Sequence, residues 1–163
     1  MKIYLDNSVV SAIGRDDTPT ESDSILTLLK SSDTGTVELC TSEITAREIE
    51  KYKSDQKRFV ETVYLLLKKV PYIERQKLLG MHSYIDRYTC INYPLIEDDP
   101  VWSKLRTLGL DETDAHHLMV AVKAGCAVFL TIDSDFIFRK RKIRTELNID
   151  VMRPSDLIDQ LSK

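Results

Sequence analysis

Asp6 and Asp133 stand at strand ends, Asp114 in the first turn of a helix, and Glu48 roughly two turns into the helix after the second strand. Carboxylates brought within about 4–6 Å of each other repel, and some stay protonated near neutral pH. A hard divalent cation relieves that cost. Mg²⁺ takes oxygen ligands and keeps several waters, so an acid-rich site without a Cys or His set points to Mg²⁺ or Mn²⁺ rather than zinc. Such an ion can activate water and stabilise the leaving oxygen of a phosphodiester. These acids lie far apart in sequence, so only the tertiary fold can bring them together.

Each acid has a plainer reading beside it. Asp6 and Asp114 suit helix N-termini, where a carboxylate caps or complements the dipole. Asp133 and Asp135 are ordinary turn formers. Glu48 has Glu43 and Glu50 as neighbours on one helix, and Glu50 lies about 200° round from it, so the two cannot enter one site together. His116 and His117 face different ways and cannot readily share an ion, so packed or hydrogen-bonded histidines are expected. Arg139-Lys140-Arg141-Lys142-Ile143-Arg144 carries five cations in six residues. By default such a run is a solvated face, but it begins six residues after Asp133 and is equally suited to holding phosphates. Lys51, Lys53, Lys57 and Arg58 form a second basic group. Tyr64 and Tyr84 could stack on bases, although packing is the commoner role.

The elements that must position these residues follow from periodicity. Residues 2–6 form a short buried strand ending at an acid, after which Asn7-Ser8 can cap a short helix to Ile13. Residues 20–30 carry a helical stripe of Ile25, Leu28 and Leu29, which Gly35 ends. Residues 37–41 form a second strand, and Ser42 caps the helix that follows. From 42 to 70 the pattern is helical, broken near Ser54-Asp55, with Ile44, Ile49, Phe59, Val63, Leu66 and Leu67 inward. Residues 72–74 suggest a strand and 76–88 a helix, and a short helix fits around 102–108. Thr113 caps a helix to Ala124 with Gly125 beyond it. The apolar run 127–132 suits a strand covered on both faces, with Asp133 at its end. Residues 147–152 are a last strand and 154–161 a closing helix. Alternating strands and helices imply an α/β fold, a three-layer α/β/α sandwich on a mainly parallel sheet, as one domain over 1–163.

The motifs Leu5-Asp6-Asn7-Ser8, Ser42-x-x-Thr45-x-x-Glu48, Asp114-Ala115-x-His117-Leu118 and Leu130-Thr131-x-Asp133-x-Asp135-Phe136 resemble, in order and spacing, those of PIN-domain proteins, above all the VapC-type toxins of bacterial toxin–antitoxin pairs. The resemblance spans residues 3 to about 152 and leaves 71–110 unmatched. It implies a metal-dependent endoribonuclease with Asp6, Glu48, Asp114 and Asp133 as the acidic set and Asp135 as a fifth candidate ligand. Asn7 and Thr131 fall where polar residues support that site. Arg139, Lys140, Arg141, Lys142 and Arg144 become candidates for RNA binding. An antitoxin partner and a homodimer are family-level expectations. A non-catalytic PIN module that binds RNA or protein, and a DNA-directed nuclease, are the rival readings. A haloacid-dehalogenase-like site is disfavoured because Ser8 stands where a second Asp is required, and no phosphate-cradling glycine loop is present.

The totals are consistent with this. The 163 residues carry 23 basic and 26 acidic side chains, a formal charge of −3, so net charge does not advertise nucleic-acid binding and any such surface must be local. Cys40, Cys90 and Cys126 are widely spaced, as expected for reduced thiols in a cytoplasmic protein. An acid at position 6 is incompatible with a secretory signal, and no apolar run is long enough for a membrane helix.

Overall fold

A computed structural model describes residues 1–13, 15, 17–52, 56–70 and 100–162. The elements run β1 (Lys2–Leu5), α1 (Asn7–Ala12), α2 (Pro19–Asp33), β2 (Glu38–Ser42), α3 (Glu43–Ile49), α4 (Gln56–Leu66), β3 (Lys68–Val70), α5 (Pro100–Arg106), α6 (Glu112–Lys123), β4 (Val128–Leu130), α7 (Ser134–Leu147), β5 (Asp150–Met152) and α8 (Pro154–Leu161). The five strands form one sheet in the order β3-β2-β1-β4-β5, and every pairing is parallel.

Alternation along the strands separates two cores. Ile3, Leu5, Leu39, Val128 and Leu130 face one side, where they meet Val9, Ile25, Leu28, Val63 and Leu157 from helices α1, α2, α4 and α8. Tyr4, Cys40, Phe129 and Val151 face the other side and pack with Leu105, Leu118, Phe136 and Ile143 from α5, α6 and α7. The Tyr4 and Phe129 rings stack at 5.5 Å, and Phe136 tilts onto Phe129 at 4.8 Å. The expected α/β/α sandwich with a parallel sheet is therefore the observed one, a PIN-like architecture.

Several local expectations are corrected. The helical pattern over 42–70 ends at Leu66, and Lys68–Val70 is an edge strand paired with β2. Leu67 is buried at the turn between them, whereas Leu66, expected to face inward, is exposed. Asp6, not Asn7 or Ser8, caps α1 by accepting the Asn7 N–H. Asp111, not Thr113, caps α6 by accepting the Asp114 N–H, so that helix starts earlier than its apolar stripe suggests. β4 stops at Leu130, and Asp133 caps a 14-residue helix that the charge run conceals. Only Phe136, Ile143 and Leu147 of α7 are buried, too thin a stripe to read through so many cations. The strand over 72–74, the helix over 76–88, Cys90, Tyr84 and Lys53 lie outside the described residues.

Candidate active site

The strand order changes direction at β1: the chain first adds β2 and β3 on one side, then β4 and β5 on the other. In parallel sheets the crevice beyond the strand carboxyl ends at such a point is where ligands bind. Asp6 leaves β1 there and Asp133 follows β4, while Glu48 rides on the helix after β2.

Asp6 is 5% exposed and closely held. Its Oδ1 accepts the Asn7 N–H at 2.8 Å, and its Oδ2 accepts the Ser8 hydroxyl at 2.6 Å and the Thr131 hydroxyl at 2.9 Å. Thr131 also accepts the Asp133 N–H at 3.0 Å, so one buried hydroxyl ties the two strand ends together. Ser8 receives the Ile132 N–H at 3.2 Å and thus braces the same loop. The Asp133 Oδ1 caps α7 through the Asp135 N–H at 2.7 Å.

Asp114 lies in the first turn of α6 and is partly buried. Burial, then the charges of Asp111, Asp6 and Asp133, raise its pKa from 3.8 to about 7, with His117 opposing. That carboxyl therefore feels the charges of Asp6 and Asp133 at the neighbouring strand ends. Glu48 reaches the same region through His117, whose Nε2 lies 2.9 Å from Glu48 Oε2. Burial disfavours the His117 imidazolium, but the Glu48 hydrogen bond and the charges of Asp6, Glu48 and Asp114 outweigh it and raise the pKa. His116 turns away and stacks on Trp102 at 4.9 Å, so the two histidines do part as expected.

The predicted acids therefore gather at one end of the sheet. Among the described residues, however, no three His, Cys, Asp or Glu side chains are grouped closely enough to clasp a metal ion as they stand. The basin still suits a hard cation. Its donors are carboxylates, its electrostatics already favour protonating one of them, and Mg²⁺ is commonly held by one or two carboxylates with water completing the shell. Asp135 is exposed, engaged through its backbone with Asp133 and 3.3 Å from Arg139.

Among the supporting residues, Thr131 touches Asp6 directly, whereas the Asn7 side chain donates to the Tyr52 hydroxyl at 2.9 Å. In the sequence, Ser8 and Ser42 read as helix caps and motif positions rather than as site residues, and Tyr4 only as part of a strand. Only the spacing of Ser8, two residues after Asp6, offered a local signal.

The basic run divides on α7. Arg139 donates to Leu108 O and Asp135 O, Lys142 to Thr107 O, and Arg144 to Asp150 Oδ2. Lys140 and Arg141 are exposed and form no side-chain hydrogen bond or ion pair among the described residues. Phe138, one turn past Ser134, is 88% exposed. At about 100° per residue, Ser134, Phe138, Arg141 and Thr145 share the stripe opposite the buried Phe136 and Ile143. In the second basic group, Lys57 is engaged with Glu50 O and Glu61, and Tyr64 lies under the Lys69 ammonium at 4.7 Å.

No protein-family model matches the chain, and no curated protein matches it by sequence. Among solved structures its fold is similar to the crystal structure of VapBC2 from Rickettsia felis bound to a DNA fragment from their promoter. The TM-score is 0.56 at 13% identity, covering 94% of this chain and 98% of that one. At that identity the likeness shows the fold, and it agrees with the PIN-like architecture read from the motifs. No helix among the described residues is long and apolar enough to cross a membrane.

Proposed function

We propose that this chain is a metal-dependent endoribonuclease acting at Asp6, Glu48, Asp114 and Asp133. The observation that carries the reading is the strand order: the switch point at β1 puts Asp6 and Asp133 side by side, joined through Thr131. Asp6, Asp114 and Asp133, with Glu48 and Asp135 at the margin, would hold Mg²⁺ or Mn²⁺. When bound, the ion would neutralise the basin, lower the pKa of water and stabilise the leaving oxygen. Glu48 is held at Oε2, and its Oε1 has no hydrogen bond among the described residues. That oxygen is available to orient the attacking water and take its proton. Lys140 and Arg141 would hold backbone phosphates beside the acids, and Phe138 offers a face on which an unpaired base can stack.

A role as the toxin of a toxin–antitoxin pair, with an antitoxin partner and a homodimer, is part of this proposal. It is supported by the motif resemblance and by the fold likeness to VapBC2. The test is cleavage of labelled, sequence-matched RNA and DNA by wild type and Asp6→Asn, with EDTA, Mg²⁺ or Mn²⁺. We expect metal-dependent RNA cutting that falls by about 10²–10³-fold in the variant, the cost typical of removing one preorganised electrostatic group. Unchanged cutting by folded Asp6→Asn would overturn the site assignment, and a preference for DNA would overturn the substrate.

A further inference from the structure

A hydrogen-bonded chain of four side chains runs beneath the acid basin and joins four elements, β2, β1, α6 and α3. Ser42 Oγ lies 2.7 Å from the Tyr4 hydroxyl, which lies 2.8 Å from His117 Nδ1, and His117 Nε2 lies 2.9 Å from Glu48 Oε2. Tyr4, Ser42 and His117 are at most 1% exposed, so water does not compete for these bonds. From this geometry we propose that His117 is a positioning residue for Glu48. It fixes one carboxylate oxygen and thereby aims the other at the substrate side of the basin. The inference rests on the nuclease reading above.

The proton inventory supports this direction. A carboxylate only accepts, so the His117 nitrogen facing Glu48 carries the proton. In the neutral ring Nδ1 is then the acceptor, and Tyr4 donates to it. In the imidazolium both nitrogens donate, and the Tyr4 oxygen accepts. The Tyr4 hydroxyl can both donate and accept and so serves either state. The Nε2–H···Glu48 bond is therefore the same in both.

The anchor is also stiff. Tyr4 sits in the central strand, its ring stacked on Phe129 and edge-on to His117. Ser42 additionally caps α3 by accepting the Ile44 N–H, so the hydroxyl contacting Tyr4 also starts the helix that carries Glu48. A flexible glutamate at 24% side-chain exposure would otherwise sample several rotamers over the basin. Outer partners of this kind orient ligand carboxylates, and losing one typically costs about 10–100-fold in metal affinity or activity.

Two isosteric variants separate positioning from packing. His117→Gln keeps a donor near the Nε2 position and loses the Tyr4 bond. His117→Asn keeps a polar atom near Nδ1 and loses the Glu48 bond. Mn²⁺ affinity is read from the metal-dependent rise in melting temperature, and kcat and KM from RNA cleavage, with folding checked by circular dichroism in EDTA. We expect His117→Asn to lose about 10–100-fold in Mn²⁺ affinity or kcat with little change in RNA KM, and His117→Gln to recover most of it. The proposal fails if His117→Asn matches wild type, or if both folded variants lose function equally, as a purely structural histidine would require. A wild type with neither Mn²⁺ stabilisation nor cleavage would instead overturn the nuclease reading on which the proposal rests.

Discussion

Replacing Asp114 with asparagine should stabilise the metal-free protein at alkaline pH while removing its response to metal. Its carboxyl has a pKa of about 7 against an ordinary 3.8, through burial and the charges of Asp111, Asp6 and Asp133. Between those values the folded state binds more protons than the unfolded one. The stability associated with this group is therefore present at low pH and lost as pH rises through about 7. Taken whole, the difference corresponds to about 4 kcal/mol. The side chain is only partly buried, and solvent screening reduces this to about 1–2 kcal/mol. The charge also gains about 0.5 kcal/mol from the α6 dipole, which asparagine forgoes. A net gain of about 1 kcal/mol at pH 8 corresponds to a melting temperature higher by about 2–4 °C for a chain of this size. At about pH 3, below the unfolded value, the acid is neutral in both states and the gain should vanish. Thermal melts of both proteins in EDTA at the two pH values test this. Saturating Mn²⁺ at about 100 times its dissociation constant should then stabilise wild type by about 2.7 kcal/mol and Asp114→Asn far less. Equal or lower melting temperatures for Asp114→Asn at pH 8 would refute the crowding of acids on which the site rests.

The remaining predictions concern the supports of the basin and its basic border. Thr131→Val removes the hydroxyl shared by Asp6 and Asp133 and should cost about 1–3 kcal/mol by thermal or urea unfolding, with Thr131→Ser restoring most of it; a neutral Thr131→Val would show that the bridge does not contribute. Lys140→Ala and Arg141→Ala should each flatten the slope of log RNA affinity against log salt by about 0.7, measured with Ca²⁺ to suppress cleavage, leaving DNA of mixed sequence as the comparison ligand. Phe138→Ala should weaken single-stranded RNA binding by about 1–3 kcal/mol without lowering the melting temperature, and retained affinity would exclude base stacking at that ring.

Much of the architecture is legible in local chemistry. Apolar runs of strand length, the Ser42 cap, the Gly35 stop and the start of the closing helix at Pro154 depend on residues within a turn of one another. The same is true of the acids that follow β1 and β4, because strand ends and helix starts are marked by neighbouring side chains. Where charge overlies a thin apolar stripe, as on α7, the pattern fails because propensity and burial are read from composition that solvent-facing residues dominate. The β3 strand fails differently: Lys68 and Lys69 resemble a helix end until β2 supplies a partner for their backbone.

What the sequence by itself determined is the inventory: four acids in order, a parallel α/β frame and a basic run. What only the tertiary structure decided is which of these meet. Tyr4 and His117 are 113 positions apart and Thr131 is 125 from Asp6, yet they share hydrogen bonds because a parallel sheet brings distant strand ends to one edge. Periodicity reports the face on which a side chain leaves its own element. It carries no information about the face that arrives opposite, and that is why Glu48 and His117 could each be placed on a helix from the sequence while their meeting could not.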